Sequence, residues 1–111
     1  MNDPADILAS RLSELWRTSH PIIQERIVVL RAAHRALSVH PDDPDARTSA
    51  REAAHKLSGV LGTFGIPQGS AIAAHLEDLL KSTEPLTLSD LIFIADQTSA
   101  LANLIAAKGE G

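Results

Sequence analysis

With 111 residues, the chain has room for one domain with a real hydrophobic core and not comfortably for two. It contains no cysteine, which excludes a disulfide framework, a thiolate zinc site and a thiol nucleophile, while 17 Ala and 15 Leu against three aromatics favour helices over strands. The formal net charge of −4 argues against a nucleic-acid-binding surface.

Prolines divide the chain. Pro4, Pro21, Pro44 and Pro67 each head a segment with apolar residues every three or four positions, as proline does in a first helical turn. The spacing predicts five helices. The first, over about 4–18, aligns Ala5, Leu8, Leu12 and Leu15 on one face; the second, over about 21–38, aligns Ile23, Ile27, Leu30 and Leu37. The polar run Pro41-Asp42-Asp43-Pro44-Asp45 is the clearest connection, with Asp43 placed as an N-cap and acidic groups near the positive end of the next helix. The third helix, about 44–64, and the fourth, about 67–82, flank Gly65. Pro85 lies in the following connection, and the fifth helix, about 88–107, repeats Leu91, Ala95, Thr98, Leu101 and Ile105. Short connections make sequential helices antiparallel. The predicted architecture is all-α: one domain over 1–111, an antiparallel up-down four-helix bundle with the short first helix as an addition. No apolar run approaches the ~20 residues of a membrane span, and the acidic N-terminus lacks a signal-peptide pattern. The expectation is a cytoplasmic monomer with no membrane partner.

The third helix carries the chemistry. On a wheel with His55 at zero, Ala50, Ala53, Leu57, Val60, Leu61 and Phe64 fall within roughly 60° of the opposite direction, so His55 points to solvent. Thr48, Arg51, Glu52, Ser58, Gly59 and Gly62 share its polar face. Glycine inside a helix costs up to about 1 kcal/mol relative to Ala, and on this face Gly59 and Gly62 give clearance for a partner surface or a tetrahedral group. A helix–helix contact between small residues is the other explanation. A neutral, exposed imidazole is a usable nucleophile, and Arg51 and Lys56 lie close enough to screen a phosphoryl group on it. No phosphate-cradling loop or nucleotide fingerprint occurs, so the chain shows no means of taking phosphate from ATP and no kinase activity of its own is expected.

The stretch Ala54-His55-Lys56-Leu57-Ser58-Gly59, the second glycine Gly65, and the later pair Leu76-Glu77 resemble the signature of the histidine-containing phosphotransfer (HPt) family. The resemblance implies a helical-bundle phosphorelay intermediate of two-component signalling, with His55 as phosphoacceptor between the aspartates of two receiver domains. It implies response-regulator receivers as partners, with a hybrid histidine kinase as a further candidate, and Mg²⁺ supplied by the receiver rather than by a cofactor of this chain. Gly59 becomes the small residue that leaves the receiver room to dock. Many members carry lysine three residues after the histidine; here Ser58 stands there, its hydroxyl a substitute donor, while the lysine is Lys56.

The remaining histidines have ordinary explanations. His34 falls on the apolar face of its helix as a core or boundary residue, His75 on a rim, and His20 and His40 beside prolines at helix ends. Two rival functions use the same residues. A helical interaction bundle without phosphotransfer would present a similar face. Glu52-x-x-His55 is the element that di-metal carboxylate bundles use, but such sites need two copies pointing inward, and this single copy points outward, so no metal site is expected.

Overall fold

Four helices make up the computed structural model, which describes residues 3–110, with side chains to residue 108: α1 (Pro4–Val39), α2 (Pro44–Thr63), α3 (Pro67–Lys81) and α4 (Leu88–Glu110). Each packs on its neighbours in sequence, and α1 closes the ring against α4. Except for Ala5, Leu8, Leu12 and Leu15, which are exposed, the three-to-four spacing read from the sequence marks the buried stripe of each helix. Ile23, Ile27, Leu30 and Leu37 come from α1, Leu57 and Leu61 from α2, Leu76 and Leu80 from α3, and Ile94, Leu101 and Ile105 from α4. Among the described residues no helix is long and apolar enough to cross a membrane.

The first two expected helices are one. The 36-residue α1 runs straight through Pro21, so there is no separate short helix near 4–18. An interior proline removes one helical hydrogen bond and usually ends or kinks the helix. Here Pro21 projects roughly opposite the buried stripe, and both Pro21 and Arg17, whose carbonyl loses its donor, are exposed to water. Trp16 and Ile23, on either side, are both buried on the same stripe, which rewards an uninterrupted helical register.

The other boundaries follow local chemistry. Asp43 caps α2, its carboxylate accepting from the N–H groups of Asp45 (3.0 Å) and Ala46 (3.1 Å). The opposite end of α2 closes on Gly65, whose φ of 74° is open to glycine at no steric cost. Ile66 N–H donates to the Leu61 carbonyl (2.8 Å) and Gly65 N–H to that of Gly62 (3.2 Å), the paired bonds of a Schellman cap. Before α4, Thr87 and Asp90 exchange side-chain and backbone hydrogen bonds at 2.8 and 3.1 Å, a reciprocal box.

The end of α3 is held from outside. The Arg47 guanidinium on α2 donates to the carbonyls of Leu80 (3.0 Å), Glu84 (2.9 Å), Leu79 (3.4 Å) and Ser82. A helix C-terminus leaves carbonyls without intrahelical donors, and a charged planar fork satisfies several at once. This latch ties the C-terminal end of α3 and the connection after it to α2.

Candidate functional site

Ala54 and Leu57 are fully buried, whereas His55, directly after Ala54, faces out with a side chain 72% exposed. The wheel placed it there, and the structure agrees. Opposite it on α3, buried Leu76 turns the next residue, Glu77, toward α2. Its carboxylate Oε2 lies 2.9 Å from His55 Nδ1, and the carboxylate is largely shielded at 16% exposure.

That contact selects a tautomer. An ionised carboxylate only accepts, so Nδ1 carries the proton and donates it to Glu77. Nε2 then holds the free lone pair, and no protein group among the described residues hydrogen-bonds it. The ring is held at one nitrogen and open at the other, which is the arrangement a histidine nucleophile requires.

Arg51, Glu52, Lys56 and Lys81 join His55 and Glu77 around a shallow cleft of about 260 Å³. Lys81, one turn after Glu77, places its Nζ 3.9 Å from the same Oε2. Three cations therefore surround a site with two carboxylates, and they can offset the charge of an arriving phosphoryl group.

Of the residues expected at the site, Arg51 and Lys56 meet His55 in this cleft. Ser58, Gly59 and Gly62 do not line it. Ser58 is half-buried on the α3 side, and its carbonyl accepts from Ser70 Oγ at 2.7 Å. A Cβ added to Gly59 would meet nothing within 4 Å, so the surface one turn beyond His55 is open. A Cβ at Gly62 would lie 3.4 Å from Ser70 Oγ, which places Gly62 at the α2–α3 contact.

Glu77 and Lys81 were missed as site residues. The sequence offered Glu77 only as half of a motif, and its distance of 22 positions from His55 hides the contact. A wheel of α3 anchored on Leu76 carries the missing signal, because it turns Glu77 and Lys81 to the same side.

The other histidines lie elsewhere. His34 is half-buried in the seam between α1 and α4, and His75 is exposed outside the cleft. His20 packs edge-on to Trp16 at 5.6 Å, and His40 caps α1. Among the described residues no three His, Asp or Glu side chains converge as metal ligands.

Comparison with known proteins fits this geometry. The Hpt domain family model matches residues 10–107. The chain is 35% identical over 75 residues, 68% of its length, to Protein RcaC of Microchaete diplosiphon, of which it spans only 12%. No solved structure matches it. A match over nearly the whole chain, on a helical bundle with an exposed histidine held at one ring nitrogen, settles the family: the chain belongs to the Hpt domains, a family of phosphotransfer in two-component signalling.

Proposed function

We propose that His55 accepts a phosphoryl group from the aspartyl phosphate of one receiver domain and passes it to the aspartate of another. The observation that carries this reading is the Nδ1–Glu77 contact on an otherwise exposed ring. His55 Nε2 attacks phosphorus in line; a P–N bond forms, the P–O bond to the aspartate breaks, and the aspartate leaves as a carboxylate. The Nδ1 proton stays on the imidazole, where Glu77 stabilises the positive charge that the ring acquires. Return of the ring electron pair during attack by a second aspartate reverses the sequence. Arg51, Lys56 and Lys81 offset the phosphoryl charge, and the open surface at Gly59 admits the receiver.

Mg²⁺ for this step belongs to the receiver's carboxylates in this reading, and this chain contributes the nucleophile. An upstream hybrid histidine kinase and a cytoplasmic location complete the proposal, in keeping with the absence of a membrane-length apolar helix among the described residues.

The test is transfer of label. Wild-type protein incubated with a phosphorylated receiver should gain an acid-labile, alkali-stable label and pass it to a second receiver. His55→Gln should gain none while melting at the wild-type temperature, since an exposed side chain contributes little to stability. An unlabelled wild type against a full set of receivers from the source organism, or an equally labelled His55→Gln, overturns the proposal.

A further inference from the structure

The core-facing stripe of α1 continues beyond the end of the bundle. On a wheel, Ala5, Leu8, Leu12 and Leu15 fall within roughly 80° of the direction set by Ile23, Ile27, Leu30 and Leu37. The 36 residues of α1 extend about 54 Å, against about 34 Å for the 23 residues of α4, the next longest helix. The molecule is accordingly 58 Å long and only 20 Å wide. Every residue from Asp3 to Leu15 is exposed, with Leu8 at 59%, Leu12 at 39% and Leu15 at 55%. A monomer was the expectation; in a monomer the continuous α1 leaves this face uncovered. A contiguous apolar stripe of this kind marks an interaction surface.

We propose that this overhang is a self-association surface, on which two copies of the chain pair their α1 N-terminal segments antiparallel about a two-fold axis near Ser10. In that register Leu8 lies opposite Leu12 of the second copy and Ala5 opposite its Leu15. Charge decides the orientation. The tip of the overhang is acidic, with Asp3 and Asp6, whereas its base, with Glu14 and Arg17 on α1 and Lys108 on α4, whose Nζ lies 6.0 Å from the centre of the Trp16 ring, carries a net positive charge. Antiparallel pairing brings each acidic tip to the basic base of the other copy. Parallel pairing sets acid against acid and base against base.

The base also offers a place for the incoming tip. A groove of about 550 Å³ lies there, lined by Leu12, Trp16, Phe64 and Lys108 among others, with Trp16 and Phe64 edge-to-face at 5.2 Å. The His55 cleft lies between α2 and α3, away from the stripe, so pairing leaves it accessible. The stripe is only about four turns long, so the association is expected to be reversible and concentration-dependent.

Sedimentation equilibrium of the full chain, from micromolar to millimolar protein, tests the proposal. The mass should rise from one protomer toward two, and Leu12→Asp should stay at one protomer throughout with an unchanged helical circular dichroism spectrum. Because the chain has no cysteine, orientation can be read separately. Leu8→Cys and Leu12→Cys proteins are mixed and oxidised by oxygen with copper–phenanthroline, two thiols giving one disulfide. The mixed 8-to-12 disulfide should exceed both same-position products. A single-protomer mass at every concentration, association that Leu12→Asp leaves intact, or dominance of same-position disulfides overturns the proposal. So does a wild type that stays monomeric while Leu12→Asp slows phosphotransfer, because the stripe would then receive a receiver domain.

Discussion

Arg47 and His55 stand eight residues apart on α2, both basic side chains on the partly exposed side of one helix. Arg47 is half-buried, and its guanidinium donates to four carbonyls at the end of α3 and just beyond it. His55 is mostly exposed, with a protein partner at one ring nitrogen and none among the described residues at the other. The difference separates structure from chemistry without reference to any family. A polar group whose hydrogen-bonding capacity is consumed inside the fold holds the fold, whereas a group fixed at one atom and bare at the next is available to a substrate.

The strongest way to break this comparison is to remove the latch. Arg47→Met keeps the stem and deletes the donors, freeing several carbonyls at the α3 C-terminus. A loss of about 2–3 kcal/mol is expected, since hydrogen bonds to charged groups are worth more than neutral ones and act together here. That corresponds to a melting temperature lower by roughly 10 °C for a domain of this size. Well below the melting point, label transfer to His55 should continue. If transfer collapses while the protein is folded, Arg47 belongs to the functional site and the distinction fails.

A smaller effect is expected at Glu77. Glu77→Gln retains an acceptor for Nδ1–H but removes the charge that opposes the imidazolium-like state during transfer, and its amide also permits the wrong tautomer. Transfer should slow about tenfold, equivalent to about 1.4 kcal/mol at the barrier. Stability should change by no more than about 0.5 kcal/mol, because His55 is exposed and the contact is partly screened. Stopped transfer measurements paired with thermal melts check both halves. An unchanged rate would make the contact incidental.

The sequence disclosed what depends on periodicity and local chemistry. The limits of α2 and α3, the start of α4, the Asp43 cap and the outward direction of His55 all follow from residues within a turn or two of one another. What it hid depends on distant residues or on where water is. Pro21 read as a helix start because a proline's cost is set by whether its orphaned carbonyl is solvated, and only the packed bundle shows that this side is wet. The sequence carries no local signal of the role of Arg47, because its four acceptors lie 32 to 37 positions away. Glu77 was visible as a residue and not as a partner, since the relative height of α2 and α3 is set by how the two helices pack along their length.

The finest test concerns two glycines that the helical wheel could not tell apart. Both lie on the His55 side of α2, and both are exposed. Gly59 has open space where a Cβ would be, whereas Gly62 meets Ser70 from α3. Replacing glycine by alanine inside a helix stabilises by up to about 1 kcal/mol. Gly59→Ala should therefore raise the melting temperature by about 4 °C. If that space serves the receiver, the same change raises the half-saturating receiver concentration a few-fold, so a more stable protein becomes a poorer partner. Gly62→Ala should show a smaller gain in stability, because Ser70 must give way slightly, and no change in receiver saturation. Equal behaviour of the two variants in transfer assays would show that clearance along α2 does not depend on which neighbour the missing methyl faces, and the docking surface would have to be sought elsewhere than beside Gly59.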